Sequence, residues 1–123
     1  MLKSLYPEMT AVQPLVGRER IVARAQQLLD EGQAFAAHEV LEAVWKATEG
    51  AERALWRGLA QLCVGLTHWS RGNPRGATAL LNRAADTLGE APALHGTDPT
   101  ALAAWARKSA TAGRQPRPPR LVG

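Results

Sequence analysis

From Arg18 onward the apolar residues of this 123-residue chain recur at helical spacing, and glycines or cap–proline pairs cut that pattern into segments. Ile21, Val22, Ala25, Leu28 and Leu29 share one helix face and stop at Gly32. The spacing predicts a second helix from about Gln33 to Glu49, ending at Gly50, and a third from about Ala51 to Arg71, ending at Gly72. Asn73-Pro74 is the clearest start: a side-chain cap is followed by a residue whose φ is already helical. Ala77, Leu80, Leu81, Ala84 and Leu88 then form the apolar stripe. Pro92 to Thr97 reads as a turn-rich link, and Asp98-Pro99 repeats the start for a helix carrying Leu102, Trp105 and Ala106. Strand signals are absent. The expected fold is all-α: a compact array of about five helices, with short links making consecutive helices antiparallel hairpins.

Gly32 aligned on Gly72 sets Ala36-Ala37 over Gly76-Ala77 and Val40-Leu41 over Leu80-Leu81. This weak repeat has a tetratricopeptide-like flavour, although two unrelated helical hairpins would give as much similarity. The expected organisation is a loose arm over 1–17, one helical domain over 18–112 and a basic Pro/Arg-rich tail over 113–123. Arg-Gln-Pro-Arg-Pro-Pro-Arg in that tail predicts disorder and non-specific contact with anions.

The formal charge of +4 belongs to that end of the chain. Arg107, Lys108, Arg114, Arg117 and Arg120 account for five of the 15 basic residues, and no acid follows them; the ten before face all 11 acids. A body with net charge −1 has no basic face to track phosphates, which argues against nucleic-acid binding except through the tail. Cys63 stands alone, so an internal disulfide framework and a Cys-based zinc site are excluded. Within Leu62-Cys63-Val64 it is expected to be an inert small hydrophobe in a reducing compartment. Polar residues interrupt every stretch before about 20 apolar residues accumulate, so no membrane span or leader is expected. The expected location is the cytoplasm.

Polar residues occupy two helices where apolar ones are expected. At about 100° per residue, His38 and Glu42 lie between Phe35 and Trp45 on the second helix, one turn apart and able to meet. On the third, Ala54, Gly58, Gln61, Gly65 and His68 share an arc edged by Arg57. Two helix-interior glycines cost roughly 1 kcal/mol each relative to alanine, which implies close approach of a backbone or ligand. The second helix is expected to fill that groove, setting His38 and Glu42 against Gln61 and His68. Three readings follow: a satisfied structural network; a divalent-metal site of His38, Glu42 and His68; or a small-molecule pocket with a histidine as acid or base. The network carries the most weight. His38-Glu39-Val40-Leu41-Glu42 lacks the second histidine of a zincin motif, so the metal is the less favoured alternative. Arg71, Asn73 and Arg75 at the fourth helix start form a weaker candidate anion site, against a plain helix-start turn. Trp45, Trp56, Trp69 and Trp105 are expected in the core, with an interface as the alternative for Trp56.

The string Phe35-Ala-Ala-His38-Glu39-Val-Leu-Glu42-Ala-Val-Trp45, followed by Gly58-Leu-Ala-Gln61, His68 and Gly72-Asn73-Pro-Arg-Gly76-Ala77, resembles the DUF309 family. The resemblance covers roughly residues 20–110, including the Gly96-Thr97-Asp98 start of the last helix. It implies a small all-helical protein of a mostly prokaryotic family of uncharacterised function. It also implies that His38, Glu39, Glu42, Trp45, Gln61, His68 and Asn73 are the family's characteristic positions. No reaction follows from it. The expected function is a protein-interaction or self-association module; the alternative is a small enzyme or metal-binding protein using His38, Glu42, Gln61 and His68.

Overall fold

The computed structural model describes residues 15–123, and the expected arm falls outside them up to Pro14. Among the described residues five helices follow one another: α1 (Leu15–Asp30), α2 (Ala34–Ala47), α3 (Arg53–Ser70), α4 (Pro74–Gly89) and α5 (Pro99–Thr111). The fold is all-α, as the periodicity predicts, with α1 starting three residues before Arg18.

Local chemistry explains the boundaries. Gly32 (φ 76°) and Gly72 (φ 75°) take the left-handed conformation that ends a helix without a Cβ penalty. In each turn the following amide reaches back five residues, Gln33 N–H to Leu28 O at 2.8 Å and Asn73 N–H to His68 O at 2.8 Å. The aligned glycines therefore perform the same closure in both hairpins. Asn73 accepts from Gly76 N–H at 3.0 Å, and Asp98 accepts from Ala101 N–H at 3.1 Å. Pro74 and Pro99 follow these caps.

Each helix packs mainly on its sequence neighbours, and α3 lies between α2 and α4. The core gathers Leu55, Trp56, Leu59, Leu62, Cys63 and Leu66 of α3 with Leu41, Leu81 and Leu88. Trp56 is fully buried, which removes the interface alternative. Burial pushes the Cys63 thiol up to about 12, so it stays protonated and unreactive.

The glycine groove of α3 is filled by a different helix from the one expected. A Cβ on Gly58 would lie 2.7 Å from the Leu88 side chain, and one on Gly65 would lie 2.9 Å from Leu81. Both leucines belong to α4, whose branched side chains use the space that alanine would close. Helix α2 packs elsewhere on α3.

The tail is also seated rather than disordered. Pro119 and Leu121 are buried, Thr97 and Val122 form an antiparallel β-bridge, and Gly123 N–H donates to Gly96 O at 3.0 Å. Proline and arginine content suggested a solvated segment; one leucine with a complementary cleft reverses that.

Candidate functional site: a polar strip along the α2–α3 hairpin

Two aromatic residues of α2 meet arginines of the α3 segment. The Arg71 guanidinium lies 5.0 Å from the Phe35 ring centre; those of Arg53 and Arg57 lie 5.5 and 5.9 Å from Trp45. Phe35 opens α2 and Arg71 closes α3, so the hairpin is antiparallel. Counted inward from those three contacts, His38 falls opposite the turn of His68 and Glu42 opposite the turn of Gln61.

Opposite is not the same as joined. The His38 Nε2–H donates to Glu42 Oε2 across a long 3.3 Å, and Lys46 Nζ lies 3.6 Å from the other carboxylate oxygen. Among the described residues no hydrogen bond crosses from these groups to Gln61 or His68. His38 Nδ1, Trp45 Nε1 and Gln61 Oε1 are buried without a partner. The network expected between the two helices is not closed by direct hydrogen bonds among the described residues. Glu39, between the two, is exposed.

His68 has a partner of its own. Because the Asn73 Oδ1 accepts the Gly76 amide, its Nδ2 faces His68 Nδ1 at 3.1 Å and must donate to it. A Cβ on Gly76 would lie 2.5 Å from Asn73 Nδ2 and 2.9 Å from His68 Nδ1, so glycine is what admits this contact. The same geometry bears on two expected sites. His68 turns to the helix cap while His38 and Glu42 pair along α2, and among the described residues no three His, Cys, Asp or Glu side chains converge on a metal position. At the start of α4, Asn73 occupies an amide that an anion would need, Arg71 lies over Phe35, and Arg75 lines only a shallow hollow with Pro74, Thr78 and Ala79.

Beside Trp45 the strip opens into a cleft of about 600 Å³ bounded by Arg53, Ala54 and Arg57 of α3 and by Asp86 and Thr87 of α4, with Glu90 just beyond. Asp86 is already paired with Arg107 at 2.6 Å. Arg53, Arg57 and Arg71 have no carboxylate partner among the described residues.

A second polar cluster escaped the sequence reading. Glu52 Oε2 accepts from Trp56 Nε1–H at 2.9 Å, from His95 Nε2–H at 2.7 Å and from Arg18 Nη1–H at 2.9 Å. Arg18 also donates to Thr48 Oγ1 at 3.0 Å. The His95 ring is 1% exposed and stacks on Trp56 at 5.5 Å. Its backbone adopts φ 58°, a left-handed conformation unusual for a side-chain-bearing residue. Burial alone would raise the Glu52 carboxyl, but the bonds from Trp56 and His95 and the charge of Arg18 outweigh it and hold the group below its usual range. Glu52 thus ties together α1, the α2–α3 link, α3 and the α4–α5 link. The signal in the sequence was small: His95-Gly96 inside a link expected only to turn.

An all-helical stack of hairpins with a polar, arginine-edged strip defines the class. Residues 22–80 match the family model described as a domain of unknown function, DUF309. The match supports placing the chain in the DUF309 family, and the matched segment contains the strip and the Asn73 cap but neither His95 nor the tail. No curated protein and no solved structure matches the chain.

Proposed function

We propose that the domain is a protein-binding module that engages an acidic segment of its partner through the α2–α3 strip. One observation carries this reading: Arg53, Arg57 and Arg71 rest on the aromatic rings of α2 without a carboxylate to neutralise them among the described residues. An arginine stacked on a ring keeps its N–H edge available for a bidentate carboxylate. Tryptophan and arginine are also the residue types that dominate binding energy at protein interfaces. Affinity capture with the wild-type chain and with an Arg53→Glu, Arg57→Glu variant tests the reading. The variant is expected to keep its helical circular dichroism and to recover at least tenfold less of the partner, or of a second copy, than the wild type. Equal recovery by both would remove the strip from consideration.

A second reading, a small enzyme or ligand-binding protein, is favoured by His38 Nδ1 and Gln61 Oε1, two buried acceptors with no donor. A ligand presenting N–H or O–H groups would satisfy both. Metal analysis of purified protein beside His38→Ala and His68→Ala separates the readings. Stoichiometric metal lost in both variants would replace the module with a metalloprotein.

A further inference from the structure

Residues 119–123 lie in the fold as a bound peptide lies on its receptor. Burial alternates along them: Pro119 and Leu121 point in, Arg120 and Val122 point out, and Leu121 is 0% exposed. That is the period of an extended strand whose alternate side chains enter pockets. The backbone on either side of Arg120 is held by one side chain. Gln26, itself 6% exposed and in the middle of α1, donates through Nε2 to Pro119 O at 3.0 Å and accepts from Leu121 N–H at 2.7 Å. A primary carboxamide has one donor edge and one acceptor, so it reads the segment as a residue of a neighbouring strand would. Asp30 positions Gln26 from one turn away at 3.0 Å and faces Arg120 at 3.7 Å. On the other side the α4–α5 link supplies the β-bridge of Thr97 and the carbonyl of Gly96.

The stretch that joins this segment to α5 behaves differently. Arg114, Gln115, Arg117 and Pro118 are exposed, and the stretch spans hollows of about 620 and 200 Å³ instead of filling them. Seven residues, 112–118, separate the end of α5 from Pro119; fully extended they reach roughly 24 Å. The bound segment is therefore tethered by a loosely packed linker, and its grip comes from the cleft alone. We propose that the cleft between α1 and the α4–α5 link is a peptide receptor for the sequence Pro-Arg-Leu-Val, and that residues 119–123 of one copy exchange into the cleft of a second copy. A short tether gives an effective concentration in the millimolar range. The self-bound form thus prevails in dilute solution and exchange grows with protein concentration. The surface is separate from the α2–α3 strip and stands independently of it.

The probe is a synthetic peptide of residues 114–123 titrated into the full, ¹⁵N-labelled chain. Up to about 10 mM peptide, a range set by the tethered competitor, the amide signals of 119–123 are expected to move to those of a released segment. A peptide with aspartate in place of Leu121 is expected to leave them unmoved. A full-length Leu121→Asp variant, whose own segment cannot seat, is expected to bind the wild-type peptide at least tenfold more tightly than the wild-type chain does. Adding Gln26→Ala to it should lose at least tenfold of that affinity. Wild-type segments that stay seated throughout, displacement by the aspartate peptide, or a folded Leu121→Asp chain that ignores the wild-type peptide would each overturn the receptor. A wild-type chain that sediments as a monomer at every concentration up to about 1 mM would overturn exchange between copies.

Discussion

The Glu52 cluster and the α2–α3 strip are both polar groups pressed against the same helix, yet they are built on opposite terms. At Glu52 the partners come from separate elements, so each donor can be placed independently, and one carboxylate oxygen collects three of them. In the strip the polar groups sit on two parallel tracks of one hairpin. Helix geometry lets His38 meet Glu42, but it cannot also bring His38 Nδ1, Gln61 Oε1 and Trp45 Nε1 to partners of their own. A cluster closed from several directions acts as a brace. One left open along a face has bonding capacity to offer a partner, and this is why the strip, not the brace, is the candidate for binding.

The largest test of this contrast is Glu52→Gln. An amide can keep a carbonyl oxygen where Arg18, Trp56 and His95 donate, but it removes the negative charge that strengthens all three bonds. The expected loss is about 3 kcal/mol in chemical denaturation. The pH dependence follows from the same carboxylate. Its folded value lies below the ordinary one near 4.3, so its contribution is complete above that pH and disappears as pH falls through the lower, folded value. Melting measured from pH 6 down to about 2 should show this acid loss in the wild type, reduced in Glu52→Gln. A variant as stable as the wild type at neutral pH would show that Glu52 braces nothing.

Gly58→Ala probes the side of the same α3 arc that packs against α4. The added Cβ gains about 1 kcal/mol of helix propensity, but it meets Leu88, which is buried and cannot swing aside, at a cost of about 1–3 kcal/mol. The expected net loss is about 1 kcal/mol, relieved when Leu88→Ala is added. Asn73→Ala should cost a similar or slightly smaller amount, about 1 kcal/mol, through the lost cap. The His68 ring resonances should shift with it, because the amide that donates to Nδ1 is gone. The smallest effect is expected at Gln61→Leu. Replacing an unpartnered buried acceptor with an apolar side chain of similar size should change stability by less than about 0.5 kcal/mol. A loss of several kcal/mol there would reveal a partner for Gln61 and dissolve the contrast with Glu52.

Most of the architecture was legible because its signals are local. A glycine that ends a helix, an asparagine or aspartate that caps one and a proline that fits the first turn act within a few residues of themselves. Gly32, Gly72, Asn73 and Asp98 accordingly marked their boundaries. The candidate site was half legible. The i, i+4 spacing brought His38 to Glu42, and the hairpin register set them opposite the turns of His68 and Gln61. Spacing carries no information on which neighbouring helix a glycine face admits, and Gly58 and Gly65 received α4. Nor could it show that His68 would be engaged from the other side by the Asn73 cap.

Helical periodicity, turn chemistry and the DUF309 signature were determined by the sequence alone, since each depends on residues close together along the chain. Three matters were decided only by the tertiary structure: the Glu52–His95 brace, the clasp of Gln26 on residues 119–121, and the identity of the helix that fills the α3 groove. Each joins residues tens of positions apart, and each is fixed by shape and unpaired bonding capacity after the helices have packed. Leu121 shows the difference most plainly. Its neighbours in sequence predict solvent, and a cleft formed by α1 and the α4–α5 link buries it.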